Sequence, residues 1–250
     1  MYKNQKVVVV MPAYNAALTL KKTYEEVMAQ EIVDLVIVVD DHSSDTTVEI
    51  AESLDRTIVR KHDKNLGYGG NQKSCYRLAL ENGGDIIIMV HPDYQYTPRL
   101  IPAMAALIGN GLYHCVLGSR ILGGHAIKGG MPLWKYVANR CLTFVENVLT
   151  GAKLSEYHTG YRAFSRVLLE QLPLGENSND FVFDNQILAQ ILWAGYTVSE
   201  VSCPTAYFEE ASSINFKRSV RYGLGCLWTG VLYRLARFGI FRSRLFPKQG

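Results

Sequence analysis

The chain lacks most of the features that assign a protein to a class at sight, and each absence removes one. Its five cysteines (Cys75, Cys115, Cys141, Cys203, Cys226) are scattered, with no C-x-x-C pair. A disulfide framework and a cysteine zinc site are therefore disfavoured, and a reducing, cytoplasmic setting fits best. No G-x-G-x-x-G and no Gly-Lys-Ser/Thr turn occurs, which argues against dinucleotide-dependent redox chemistry and P-loop NTP hydrolysis. The apolar run at 7–11 is too short for the core of a signal peptide. The apolar stretch at 222–233 falls short of the about 20 residues that cross a bilayer, so no integral anchor is expected. Acids are missing from 211–250, where eight of the 26 lysines and arginines lie (Lys217, Arg218, Arg221, Arg234, Arg237, Arg242, Arg244, Lys248), so an acidic body ends in a basic tail. With an acidic body and no nucleic-acid-binding motif, nucleic acid is not an expected partner.

What is present is alternation. Short β-branched runs at 7–11, 35–39, 57–59, 86–90 and 115–117 alternate with longer amphipathic segments at 17–30, 45–54, 70–82 and 98–109. This pattern predicts an α/β fold, with strands apolar enough to be buried on both faces and helices covering a mainly parallel sheet. In such sheets ligands bind beyond the carboxyl ends of the strands. Those ends read Pro12-Ala13-Tyr14-Asn15, Asp40-Asp41-His42-Ser43-Ser44-Asp45, His91-Pro92-Asp93-Tyr94-Gln95 and Gly118-Ser119-Arg120. Polar, acidic and aromatic groups thus converge on one edge.

Each motif has a plain reading and a chemical one. Ser44 or Asp45 serves as an ordinary helix cap, but adjacent acids at a strand end ask for more, and an acid there can accept from a nucleobase N–H or a ribose hydroxyl. Tyr14 is a rim aromatic that, beside Asp41, can stack on a base. The turn from Asn65 through Gly67 to Gly70 is either a simple loop or a phosphate cradle. His91, Asp93 and Gln95 alternate, so on extended chain they face one point. A hard cation such as Mg²⁺ or Mn²⁺ takes one or two carboxylates and completes its shell with substrate phosphates. Asp93 is the leading ligand, and His91 is either a ligand or structural.

In this order and at these strand ends, the motifs Pro12 to Asn15, Asp40 to Asp45, Asn65 to Gly70, Asp93 with Gln95, and Gly118 to Arg120 resemble the inverting family 2 glycosyltransferases of GT-A (Rossmann-like) fold. Within that family they look most like the dolichol- or polyprenol-phosphate sugar synthases. The resemblance implies a nucleotide site at Pro12, Tyr14, Asn15, Asp40, Asp41, Gly67 and Asp93, and a metal-ligand set of His91, Asp93 and Gln95. Two positions depart from the pattern: His91 stands where the family has the first Asp of D-x-D, and Ala16 where the synthases usually have Glu.

The second half fits an acceptor-binding role. A helix expected from Met131 carries Lys135, Asn139 and Arg140, and the segment from Glu156 through His158 to Arg162 resembles the family's Gly-Phe-Arg segment. Arg120, Lys135, Arg140 and Arg162 are the candidate phosphate contacts. Asp184 stands where many relatives place an acid on the acceptor side and is the candidate base. Asp93, Arg120 and Asp184 are thus the catalytic candidates. The expected organisation is a GT-A domain at 1–210, nucleotide-binding at 1–120 and acceptor-binding at 121–210, then an amphipathic helical tail at 211–250. In the tail Phe216, Val220, Leu224, Leu227, Val231, Leu235 and Phe238 recur every three or four residues. Arginines around such a stripe suit a helix lying on an anionic membrane, here the inner face. Packing on the body or in a homo-oligomer is the other reading. The expected activity is metal-dependent transfer from a nucleoside-diphosphate sugar to a polyprenyl phosphate. A soluble transferase with a hydroxyl acceptor and a non-catalytic nucleotide-sugar module are the alternatives.

Overall fold

A computed structural model describes residues 1–124, 126–204 and 216–247; the side chains of Phe216 and Lys217 and all of Lys248 lie outside the described residues. The five expected strands form: β1 (Val7–Ala13), β2 (Leu35–Asp40), β3 (Thr57–Lys61), β4 (Ile86–Met89) and β5 (Cys115–Ser119). Between them run α1 (Leu20–Met28), α2 (Thr47–Glu52), α3 (Tyr68–Glu81) and α4 (Ile101–Gly109). The last begins as a 3₁₀ turn at Pro98–Leu100, where Thr97 Oγ1 accepts from the Arg99 amide at 3.4 Å. The second half adds α5 (Leu133–Thr150), β6 (Arg162–Ser165), α6 (Arg166–Gln171), α7 (Phe183–Trp193), β7 (Val198–Ser202) and α8 (Phe216–Arg237).

The seven strands make one sheet in the order β3-β2-β1-β4-β6-β5-β7. All neighbouring pairs are parallel except those of β6, which runs antiparallel to β4 and β5. The expected mixed, mainly parallel sheet is thus what forms. Side-chain alternation sorts the strands into two cores. Val7, Val9 and Met11 of β1 pack with Val36 and Val38 against α1, α2 and α4. Val8, Val10, Ile37 and Val39 pack on the other face against α3, α6 and α7. Because β6 runs backwards, its first residue, Arg162, lies opposite Met89 and Leu117 near the carboxyl ends of β4 and β5. A strand absent from the sequence reading therefore begins at the functional edge.

The C-terminal helix forms as expected, but its buried face is not the apolar stripe. Gly223, Cys226, Thr229, Gly230 and Tyr233 face inward, on the α5 and α7 side. Val220, Leu224 and Val231 are exposed, Leu224 by 63%, and Trp228 beside them by 60%. Leu227 and Leu235 are half-buried, and Phe238, just past the helix, is exposed. Small residues suit the inward face because two helices approach closely there, which leaves the large apolar side chains outside. Trp134, Val137, Phe144 and Val148 of α5 are exposed as well. Among the described residues no helix is long and apolar enough to cross a membrane.

At the seam of α5, α7 and α8 lies a buried polar cluster. Asn185 Nδ2 donates to Glu146 Oε1, Glu146 Oε2 lies 3.3 Å from His158 Nε2, and His158 Nδ1 lies 2.9 Å from the Tyr222 hydroxyl. Burial pushes the Glu146 carboxyl up to about 8 and the His158 imidazole down to about 4. An acid raised from 4.5 stabilises the fold fully below that pH and ceases to as the pH climbs through about 8. His158, lowered from 6.5, works in the opposite direction, losing its contribution as the pH falls from 6.5 towards 4. Between pH 6.5 and 8 only the Glu146 contribution changes, so stability should fall with rising pH across that window. Glu146→Gln keeps an acceptor for Asn185 without a proton to lose. Urea midpoints should show the wild-type decline above pH 6.5 flattened in this variant, and parallel curves would mean that Glu146 does not titrate there.

Candidate functional site

The strand ends of β1, β2 and β4 open into a cavity of about 420 Å³, closed on the far side by the starts of α7 and α8. The loops after β1 and β2 are laced together: the Asn15 amide donates to Ser43 Oγ at 2.8 Å, and Asn15 Oδ1 accepts from the Ser44 amide at 3.0 Å. Asp45 fastens the same two loops, accepting from the Ala17 amide and from Thr47. Pro12, Tyr14, Asn15, Asp41 and Gly67 all line the cavity, with the Tyr14 ring 58% exposed and accessible to a flat ligand.

Asp40 does not reach it. Its buried carboxylate accepts from the Ser43 amide and hydroxyl and holds the turn, so the adjacent acids divide their work. Asp41 is itself strongly engaged, accepting from the amides of Leu66 and Gly67 at 2.8 and 2.9 Å and pairing with His62 Nδ1 at 2.8 Å. Its backbone carbonyl accepts from Asn65 Nδ2. Gly67 is held at φ +83°, a conformation that favours glycine, with its amide aimed at Asp41. Asp41 therefore shapes the Gly-rich wall before it meets any ligand.

His91, Asp93 and Gln95 line the same cavity. They do not converge by strand alternation, as expected, because β4 ends at Met89 and residues 91–95 form a turn, with Tyr94 left-handed at φ +59°. Lys22 lies over the Tyr94 ring, 3.9 Å from its centroid, and the Gln95 amide donates to Asp93 Oδ1 at 3.1 Å. One carboxylate, one amide oxygen and one imidazole nitrogen at a cavity wall fit a hard cation that draws its remaining ligands from water and phosphate. Among the described residues no cluster of three or more His, Cys, Asp or Glu side chains forms a complete protein cage for a metal ion.

The basic candidates lie elsewhere. Arg120 turns away to Glu156, to which its Nε donates at 2.8 Å, and its Nη2 donates to the His158 carbonyl. Burial alone would raise Glu156, but the Arg120 guanidinium beside it holds the carboxyl low. Arg162 is fully buried, its Nε, Nη1 and Nη2 donating to the backbone carbonyls of Thr159, Asp184 and Tyr157. Lys135 and Arg140 sit on α5, the former beside the Trp134 ring and the latter donating to the Ser155 carbonyl. None of the four is a wall residue of the cavity. From the second half of the chain the cavity is lined instead by His158, Gly160, Asp180, Phe181, Asp184, Arg218 and Tyr222. Arg218 and Tyr222 are four residues apart on α8, a spacing that places both on one helix face and that the stripe analysis passed over.

Asp184 lies in the first turn of α7, where a negative charge is favoured. Both its oxygens are occupied: Oδ2 accepts from the Tyr68 hydroxyl at 2.6 Å and Oδ1 from Gln72 Nε2 at 3.0 Å. Tyr68 also contacts His91 Nε2 at 2.9 Å and stacks on Phe181. Burial and the charge of Asp184 push the Tyr68 phenol well above its usual range, so it keeps its proton. Tyr68, at the end of the Gly-rich turn, is thus a central residue of the site that the sequence reading left as loop.

Residues 8–173 match the family model described as glycosyl transferase family 2. The UDP-N-acetylglucosamine–dolichyl-phosphate N-acetylglucosaminyltransferase of Methanococcus voltae is 32% identical over 183 residues, 65% of this chain and 72% of that protein. The low-salt glycan biosynthesis hexosyltransferase Agl6 of Haloferax volcanii is 33% identical over 179 residues, 69% of this chain but 41% of the relative. Among solved structures, glucosyl-3-phosphoglycerate synthase from Mycobacterium tuberculosis, in complex with Mn²⁺, UDP and glucosyl-3-phosphoglycerate, superposes with a TM-score of 0.66 at 17% identity. The match covers 96% of this chain and 82% of that one, and the shared architecture is the GT-A fold.

The hydrogen bonds of Asp41 carry a direct test. Asp41→Ala removes the acceptor of two backbone amides, an expected loss of about 1–3 kcal/mol. A urea titration without nucleotide should show the lowered midpoint, and a wild-type midpoint would mean that other contacts hold the Gly-rich turn.

Proposed function

Because this chain belongs to glycosyl transferase family 2, we propose that it moves a sugar from a nucleoside-diphosphate sugar to a polyprenyl (dolichyl) phosphate, inverting the anomeric centre. The observation that carries this reading is one cavity lined by residues from both halves of the chain. Tyr14, Asp41, Gly67, Asp93 and Gln95 suit a nucleotide and its diphosphate, and Arg218, with Tyr222 and His158, suits an anionic acceptor. The relative from Methanococcus voltae is named for a dolichyl-phosphate acceptor, which supports the lipid phosphate.

Tyr14 stacks on the base, and Asp41 and Asn15 frame it. A divalent cation neutralises charge on the leaving diphosphate when bound, with Asp93, Gln95 and His91 as its protein ligands and Mg²⁺ or Mn²⁺ as the ion. Arg120, neutralised by Glu156, supports the wall from behind, and Arg218 brings the positive charge to the acceptor. A phosphate acceptor is already an anion and needs no base. A hydroxyl acceptor would need one, and Asp184 is poorly disposed to serve because Tyr68 and Gln72 already donate to both its oxygens.

The exposed apolar faces of α5 and α8 fit peripheral contact with a membrane that supplies the lipid acceptor. Lys135, Arg140, Arg221, Arg234 and Arg237 on those helices suit anionic headgroups, each adding on the order of 1 kcal/mol near the surface. The cytoplasmic leaflet is the membrane face that fits a nucleotide-sugar donor.

The activity is tested by incubating the protein with a panel of nucleotide sugars, Mg²⁺ or Mn²⁺, and polyprenyl phosphate or water alone. Sugar should appear on the lipid only when phosphate, metal and donor are all present. Asp93→Asn should abolish that turnover while circular dichroism stays native; retained metal-dependent activity would place the metal elsewhere. Flotation with anionic liposomes should capture the protein at low salt and release it as salt rises, since screening shortens the reach of the basic side chains. A protein that ignores such liposomes would favour a hydroxyl acceptor in solution.

A further inference from the structure

The chain of contacts His91–Tyr68–Asp184 does more than fill space, because its proton directions are determined. Asp184 accepts on Oδ1 from Gln72 Nε2, and its Oδ2 accepts the single hydroxyl proton of Tyr68 at 2.6 Å. The 2.9 Å contact between the same hydroxyl and His91 Nε2 must then run the other way, with Nε2–H donating to the phenolic oxygen. A neutral imidazole so held carries its proton on Nε2 and its lone pair on Nδ1. The ring is also fixed in place. It stacks on Tyr68 with centroids 5.4 Å apart, and its Nε2 lies where a side chain at position 160 would begin, 2.6 Å from a Cβ built on Gly160.

We propose that Tyr68 is a positioning residue which, anchored by Asp184, selects the Nε2–H tautomer of His91 and so presents Nδ1 as the nitrogen that ligates the divalent cation. The inference rests on the metal reading of His91, Asp93 and Gln95 given above. Its physical basis is general: the partner of one imidazole nitrogen decides what the other can do, and a lost partner typically costs a metal site about 10- to 100-fold in affinity. The relay also runs from the metal side of the cavity to the first turn of α7, so the donor and acceptor walls share one hydrogen-bonded chain.

The test reads the tautomer directly, in the metal-free protein, by long-range ¹H–¹⁵N correlation of labelled histidine. Wild-type His91 should show a protonated Nε2 and an unprotonated Nδ1. Tyr68→Phe, which keeps the ring stack on Phe181, should lose that single state. Asp184→Asn should reverse it: Gln72 holds the amide oxygen, the new NH₂ donates to Tyr68, and the Tyr68 proton turns to Nε2, forcing the His91 proton onto Nδ1. Mn²⁺ binding, followed by the electron paramagnetic resonance of the free ion with UDP or GDP present, should weaken about 10- to 100-fold in both variants. A wild-type Nδ1–H tautomer, or Tyr68→Phe with unchanged tautomer and Mn²⁺ affinity, would overturn the inference. Loss of Mn²⁺ binding in Asp93→Asn but not in Tyr68→Phe would overturn it while leaving the metal reading in place. No Mn²⁺ binding by the wild-type chain would overturn both.

Discussion

The buried guanidinium of Arg162 is the interaction around which the functional half of the molecule is arranged. It begins β6, the one strand that runs against its neighbours, and its three kinds of nitrogen donate to carbonyls at 157, 159 and 184. A planar, permanently charged fork with several fixed donors suits that task in a way a lysine could not. By gripping both the segment that carries His158 and the first turn of α7, it brings Asp184 within reach of Tyr68 and, through Tyr68, of His91. The burial of its charge is offset by those carbonyls and by the nearby carboxylate of Asp184, whose influence keeps the group protonated despite its desolvation.

The same logic of charges held by the protein recurs around the cavity. Asp40 and Asp41 are adjacent, yet one closes its own turn and the other organises the Gly-rich wall. Arg120 is neutralised by Glu156, itself further held by Asn139. The groups that look most reactive in the primary structure are therefore often scaffolding. Arg218 and Tyr222 of α8 line the cavity, so the C-terminal helix is at once a wall of it and, on its outer face, an apolar surface.

Much of the first half of the chain was legible in the amino-acid order. Runs such as Val7 to Met11 and Ile86 to Met89 can satisfy their backbone only by pairing and their side chains only by burial on two faces, so strands and their carboxyl ends could be placed from pattern alone. Tyr14, Asp41, Gly67, Asp93 and Gln95 follow those ends at once and meet in one cavity as expected. His91, Asp93 and Gln95 line that cavity too, but not by alternation, because Pro92 and the left-handed Tyr94 turn the chain.

The second half of the chain was decided by tertiary structure. Local sequence cannot show that β6 inserts backwards between β4 and β5, because antiparallel insertion depends on partners more than forty residues away in the chain. It cannot show that α8 packs through glycine, cysteine and threonine while its larger apolar side chains stay outside, since periodicity reports an apolar stripe but not which neighbour approaches closely enough to need small residues. Nor can it show that Arg120 and Arg162 lie away from the cavity while Arg218 lines it: a guanidinium looks the same in sequence whether its partner is a carbonyl, a carboxylate or an aromatic ring. Sequence determined five of the sheet's strands, their carboxyl ends and the family likeness, because these follow from local pattern. Which charged side chains line the cavity depended on distances between segments that only folding brings together.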